Sequence, residues 1–324
     1  MPEPAPESLG MDAFERFLFL RTIPVLSALP ADVVRVVAAH TRQAIYPDGS
    51  FVYRQGQPAT HVHYIVDGSI EIRRNGQPVR TLVKTEVAGG ISAMAGDDQG
   101  YDGVAVGDTV TLRIASDDTQ EILEDHFVLL RGILEGTGRE VLRALRQLGP
   151  NAGFETSASE VPYYERALDL VEKMAFLRQS VVLQQSHIDA VSDLAQEVEE
   201  KRFEAGTELW LPGAASPYFL LLVSGSVECD AEDPVQHFVL GPGDSVGANE
   251  ATAGEPRWFR ARAREDVVAL KIDVETFYDI LEDHFDMALA LLRSVMAGIM
   301  RLYDLKADAA AQSSPSLTSA SDRG

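Results

Sequence analysis

Two histidines, His61 and His63, form the first pair in the chain whose type and spacing could do chemistry. On a strand, residues two apart share a face, and two imidazoles there could hold a divalent metal. No third ligand accompanies them, because the single cysteine, Cys229, lies far along the chain. A half-exposed strand face is the plain reading. Carboxylate pairs stand at Glu124–Asp125 and Glu282–Asp283, followed by His126 and His284. Acid–base work by such pairs needs a cleft, and the sequence places them on solvated helix faces. No glycine-rich phosphate loop, serine-hydrolase elbow or kinase signature is present. The chain reads as a non-enzyme, without metal or cofactor.

The charge balance narrows the partners. Lys and Arg number 28 against 50 Asp and Glu, a formal net charge of -22. Nucleic-acid affinity comes mostly from cations that neutralise phosphates. The nearest approach to a basic patch, Arg139, Arg143 and Arg146, is diluted by Glu140 and reads as a solvated helix face. No DNA partner is expected. One cysteine excludes an internal disulfide and fits a reducing compartment. The opening MPEPAPESLG has neither the basic flank nor the apolar run of a secretory signal. No uncharged apolar stretch of about 18 residues marks a membrane span. A cytoplasmic location is the expectation.

The elements that must position any site come in duplicate. ILEDHF occurs at Ile122–Phe127 and again at Ile280–Phe285, an offset of 158. VDGS at Val66–Ser69 matches VSGS at Val223–Ser226, an offset of 157. Gly49 and Gly206, Gly56 and Gly213, and Gly89 and Gly247 keep the same spacing to within one residue. Landmarks in one order at a constant offset mean a duplicated domain.

Each copy opens with a helix, Leu29–His40 or His187–Glu200. Short apolar runs separated by glycine follow, among them HVHYIVDGSIEIRR and YFLLLVSGSVEC, the grammar of an all-β barrel or sandwich. Positive φ is expected at Gly49, Gly68, Gly206 and Gly225, and a hairpin turn at Asn75–Gly76. A last strand and a long helix close each copy. In copy two, Phe285, Leu289, Leu292, Met296, Ile299 and Tyr303 form a heptad seam. That seam suits a homodimer through the helix around Phe285–Tyr303; packing against its own barrel is the alternative. In copy one, Gly132, Gly136 and Gly138 predict a frayed or broken helix. The expected division is a disordered 1–10, domain one over 11–148, a linker at 149–160, domain two over 161–306 and a disordered tail at 307–324.

The run LSALPADVVRVVAAHTRQAIYPDGSFVYRQGQPATHVHYIVDGSIEI resembles the first half of a cyclic-nucleotide-binding domain, and RFEAGTELWLPGAASPYFLLLVSGSVE repeats it. The domain occurs in catabolite-activator regulators, cAMP-dependent kinase regulatory subunits and nucleotide-gated channels. The likeness spans about residues 20–148 and 170–305. It implies a mainly β fold with flanking helices, as two tandem β-roll barrels each closed by a C-terminal helix. IDAVSDLAQEVEEKRF looks superficially like a helix-turn-helix, yet it aligns with Val33–Ala44 and is read as the leading helix of domain two. No winged DNA-binding domain is expected after the last helix, so transcription-factor activity is not the leading expectation.

In that family the ligand sits on a phosphate-binding cassette, approximately F-G-E-L/I-A/S-L-L-x-G-x-P-R-x-A. A helix N-terminus offers N–H groups to the cyclic phosphate, arginine pairs with the phosphate oxygens, and glutamate accepts from the ribose hydroxyl. Copy one aligns as Val87–Tyr101: Gly89, Ile91 and Ser92 match, but Gly90 stands at the glutamate position and Gln99 at the arginine position. Asp97 and Asp98 add negative charge. Copy one is therefore expected not to bind cyclic nucleotide in the usual way. Copy two aligns as Ser245–Phe259: Gly247 and Arg257 match, Ala248 stands at the glutamate position, and Asn249 and Glu250 follow. Arg257 is either the phosphate ligand or a surface partner of Glu255 or Glu250. Trp258 is either a base-stacking aromatic or a packing one.

The resulting expectation is a regulatory or sensor module that takes cAMP or cGMP weakly at copy two. A structural adaptor with both sites silent, and a regulatory subunit acting on a protein partner such as a kinase, are the alternatives.

Overall fold

The computed structural model describes residues 10–57, 59–90, 93, 100–148, 166–179, 183–184, 186–232 and 235–313. Copy one opens with helices α1 (Ala13–Leu20), α2 (Pro24–Ser27) and α3 (Ala31–His40). Asp12 and Glu15 form a reciprocal capping box at the start of α1. The strands are β1 (Arg42–Tyr46), β2 (Phe51–Tyr53), β3 (His61–Arg74), β4 (Gln77–Val83), β5 (Val87–Ala88) and β6 (Asp102–Ala115). They pair antiparallel in the order β1-β6-β3-β4, with β2 on β6 and β5 on β3. The β3–β4 hairpin turns at Asn75 and Gly76, φ 52° and 77°, the left-handed pair such a turn demands. At Gly68, φ 77°, a Cβ would sit 2.7 Å from the Asp108 carbonyl oxygen, so only glycine fits. Helices α4 (Ser116–Asp125) and α5 (Phe127–Leu148) close the copy.

Copy two repeats the plan with α6 (Leu170–Leu177), α7 (Ile188–Glu197) and strands β7 (Glu199–Phe203), β8 (Glu208–Trp210), β9 (Tyr218–Ser224), β10 (Val227–Glu232), β11 (Val235–Leu240) and β12 (Ser245–Val246). The short helix α8 (Ala248–Ala253) precedes β13 (Arg260–Ala263), β14 (Val267–Asp273), α9 (Val274–Asp283) and α10 (Phe285–Ser313). Two four-stranded sheets, β11-β10-β13-β8 and β12-β9-β14-β7, face each other. The mainly β fold with flanking helices stands as expected, as two rolls; among the described residues neither is a barrel closed by continuous strand pairing. The helix-turn-helix-like segment is indeed the leading helix α7 and strand β7. His126 and His284 each cap the first closing helix of their copy with matching backbone, φ -134° and -127°, a shared structural role.

Three expectations are corrected here. First, α5 is unbroken over its 22 residues. Two of its three expected breakers are contact points: a Cβ on Gly132 would meet Val25 at 3.7 Å, and one on Gly138 would meet Ala253 of α8 at 3.2 Å. Tertiary packing outweighs the helix propensity that glycine lacks. Second, α10 runs through Ser313, past the expected end at 306. Its Ala-rich end, ADAAAQS, is good helix sequence. Third, the heptad seam is taken within the chain. Leu289, Leu292, Met296 and Ile299 are buried, and α10 packs against α5 and β4 of copy one, not against its own roll alone.

The closing helices are thus exchanged. Helix α5 lies on the cassette helix α8 of copy two, while α10 lies on the roll of copy one. Ile299, Met300 and Leu302 share a core with Ile65, Ile70, Ile72 and Leu82. The Tyr101 hydroxyl donates to the Met300 carbonyl at 2.9 Å, and Arg74 pairs with Asp304 at 3.2 Å. In return, the Gln236 amide donates to the Arg146 carbonyl at 2.6 Å, and the Arg146 guanidinium lies 5.7 Å from the Trp258 ring centre. Arg146 and Asp304 are themselves 158 residues apart. A single apolar core runs through the helices of both copies, from Leu20 to Met296. No helix among the described residues is long and apolar enough to cross a membrane.

Candidate functional site

Strand β12 is followed by Gly247, whose φ of 80° turns the chain into α8. A Cβ there would lie 2.0 Å from Arg257 Nη1, so glycine leaves the room the guanidinium uses. Ala248 and Asn249 open the helix, and Glu250 follows in its first turn. Gly254, φ 66°, ends it and returns the chain toward Arg257 and β13.

Arg257 is not the surface ion pair that its alignment with Glu255 or Glu250 suggested. It is 2% exposed. Nη1 donates to the Gly247 carbonyl at 2.8 Å and Nη2 to the Tyr218 carbonyl, while the guanidinium lies 4.1 Å from the Trp210 ring centre. Its Nε, like Trp210 Nε1, is buried without a hydrogen-bond partner among the described residues. Burial holds the arginine pKa below its ordinary value, with Glu250 opposing. Glu255 instead faces Arg139 of α5 at 3.5 Å.

Glu250 is also 2% exposed. Burial pushes its carboxyl up, against the pull of Arg257, Arg146 and a hydrogen bond from Trp258. Trp258 is a packing aromatic: its ring stacks on Phe238 with centres 6.1 Å apart and meets Phe259 edge-on at 5.4 Å. With Trp210, Phe238 and Phe259 fill the second roll. Arg139 and Arg146, read as a diluted basic patch, are instead contacts of α5 with copy two, while Arg143 is exposed.

In copy one, Gly89 takes φ 78°, where a Cβ would meet the His61 carbonyl oxygen at 2.7 Å, and Gly90 lies beside Val62 and Val87. Ile91, Ser92 and Gln99, the other cassette positions, lie outside the described residues, as does the 149–160 linker. His63 is corrected: it is buried at 3% exposure and not on a half-exposed face. Its ring lies 6.2 Å from that of His61, and burial lowers its pKa to about 3. Among the described residues no cluster of three or more potential ligands could hold a metal ion.

Sequence reasoning found Gly247 and Arg257 but missed their partners. Trp210 and Tyr218 sit on strands remote from the cassette, and carbonyl acceptors leave no trace in a sequence.

The family model for the cyclic nucleotide-binding domain matches residues 44–126 and 200–284. No curated protein matches the chain. Among solved structures it is similar to a regulatory subunit of a cAMP-independent protein kinase A from Trypanosoma brucei, a mutant bound to cAMP in the A site. There the identity is 17%, over 96% of this chain and 95% of that one, with TM-score 0.34. A cyclic nucleotide-binding-like protein from Brucella abortus matches at 23% identity over 34% of this chain and 97% of that one, TM-score 0.31. The N-terminal domain of a transcriptional regulator from Streptomyces coelicolor A3(2) matches at 18% identity over 45% and 99%, TM-score 0.34. Two family matches, each centred on one roll and together spanning half the sequence, place the chain in the cyclic nucleotide-binding domain family, with two tandem domains.

Proposed function

We propose that the chain is a non-catalytic regulatory module whose second domain captures an anionic ligand of the cyclic-nucleotide class weakly. The observation that carries this reading is the pair of buried donors at the second cassette, Arg257 Nε and Trp210 Nε1, that have no acceptor among the described residues. A buried donor left unmade costs about 1–3 kcal/mol, and an anion at the cassette would relieve it. Three features keep the affinity low. The guanidinium must leave the Gly247 and Tyr218 carbonyls, Ala248 replaces the ribose-binding carboxylate, and aromatic side chains crowd the roll. One missing charge-assisted hydrogen bond alone removes roughly one to two decades of affinity.

Domain one, with Gly90 and Gln99 at the anchor positions, is proposed to be silent toward nucleotide. Capture at domain two would be felt by domain one, because α5 rests on α8. The output goes to a protein partner, for which the tandem arrangement makes a protein kinase the first one to test.

Thermal unfolding with cAMP or cGMP at about 1 mM tests the reading. A Kd near 0.1 mM gives about 1.4 kcal/mol of stabilisation, a shift of a few degrees. Arg257→Lys, which keeps the charge and loses the planar fork, is expected to abolish the shift. A shift that persists in that variant places the site elsewhere. No shift with either nucleotide favours an adaptor with both domains silent, a reading supported by the filled interior of the second roll.

A further inference from the structure

A cavity of about 340 Å³ lies between β3–β5 of copy one, α2, α5 and the α10 helix of copy two. Small-molecule sites span roughly 300–1,000 Å³. An engineered apolar cavity of about 150 Å³ already stays dry and binds benzene. Here the wall is apolar, with Val25, Val62, Leu129, Ile133 and Met296 among its residues.

The duplication shows how the sequence makes this space. Val62 and Thr119 line the cavity. At the corresponding positions of copy two, 157 and 158 residues on, stand Phe219 and Phe277. Their rings meet edge to face at 5.6 Å. Two phenylalanines fill in one copy what a valine and a threonine leave open in the other, although protein interiors are ordinarily close-packed.

Tyr64, also in the wall, stands where copy two has the aliphatic Leu221. It is 7% exposed. Burial alone pushes its pKa up, to about 12. At the rim, Arg80 lies between Glu86 at 2.6 Å and Glu140 at 2.5 Å, so one cation already faces two carboxylates. An arriving anion meets there a cation already engaged by carboxylates. Thr85, on the same rim, holds φ 72°, whereas the corresponding residue of copy two is Gly243, φ 88°. A β-branched residue in that region is strained, and such strain gathers at ligand sites.

We infer that copy one holds a neutral, mostly apolar small molecule with one hydrogen-bond acceptor, such as a ketone or ester, packed against Val62, Thr119, Ile133 and Met296 and bonded by the Tyr64 hydroxyl. The occupant touches both halves of the chain, because Met296 and Ile299 belong to the closing helix of copy two. This inference does not rest on nucleotide capture by domain two.

The full chain is titrated with prodan, a neutral naphthyl ketone that brightens in apolar surroundings and emits further to the red when its carbonyl accepts a hydrogen bond. Saturable binding of one probe per chain is expected. Val62→Phe with Thr119→Phe, which rebuilds the packing of copy two, weakens it at least tenfold; Thr119→Phe alone serves where the double variant does not fold. Tyr64→Phe keeps the probe bound and moves its emission to the blue. The assignment is overturned by absence of saturable binding, by undiminished affinity in a filled variant that unfolds cooperatively, or by unchanged emission in Tyr64→Phe. Displacement of the probe by cAMP, in Arg257→Lys as in the parent, makes copy one a nucleotide site and likewise sinks the neutral-ligand reading. Probe retained under cAMP supports it.

Discussion

Gly138 and Ala253 come from opposite halves of the chain and meet where α5 crosses the second cassette helix: a Cβ on Gly138 would lie 3.2 Å from the Ala253 Cβ. That contact turns the closing helix of one domain into a wall of the other's candidate site. Gly138→Leu is expected to force the helices apart and to cost about 1–3 kcal/mol in denaturant unfolding, as overpacking does. Gly136, in the same helix, has open space where a Cβ would stand, with nothing within 4 Å. Gly136→Ala should therefore stabilise by roughly 0.5–1 kcal/mol. The opposite ordering of the two variants would mean that α5 does not rest on α8.

Both tryptophans, Trp210 and Trp258, lie in copy two, yet the helices of both copies share one core. Tryptophan fluorescence and far-UV circular dichroism should report coincident unfolding midpoints. Separate transitions would show that the exchanged helices do not couple the domains.

Arg131 of α5 grips Glu275 of α9 with two hydrogen bonds of 2.8 Å, and this holds the Glu275 carboxyl below the usual carboxylate range. Glu275 is largely exposed, so the pair is worth about 0.2–1 kcal/mol and is screened by salt. A depressed carboxylate contributes stability that is present above its unfolded pKa and lost as pH falls through the folded one. Glu275→Gln should thus destabilise slightly at neutral pH and not at all at low pH, with the difference shrinking at about 1 M salt.

His63 acts with the opposite chemistry but the same direction. Burial lowers its pKa from 6.5 to about 3. Between those values the unfolded chain binds a proton that the folded chain does not, so stability falls as pH drops through that window. His63→Phe should flatten the acid limb of the stability–pH curve below pH 6.5. An unchanged slope would mean that the ring is hydrated.

Cys229 is fully buried in the second roll, and burial pushes its thiol well above the ordinary range. Thiolate is the reactive form. The native protein should resist a disulfide reagent such as Ellman's and release one equivalent per chain only on unfolding.

The sequence by itself determined the duplication and, with it, the fold. ILEDHF recurring after 158 residues, the glycine punctuation and the alternating strands are all local signals, because period-two patterning and positive-φ turns are properties of short segments. Gly247 and Arg257 were legible for the same reason, lying in one short run. Val62 and Thr119 were not singled out from the sequence, because their smallness acquires meaning only once they line a shared space. The tertiary structure alone decided that Arg257 turns inward to carbonyls from Gly247 and Tyr218, that α10 packs on α5 and the first roll, and that Gly138, which should weaken a helix, is a place where two domains touch. An apolar stripe or a small residue specifies that it will be covered, not by what. The partner is chosen by how distant elements pack, and that information is absent from any one stretch of the chain.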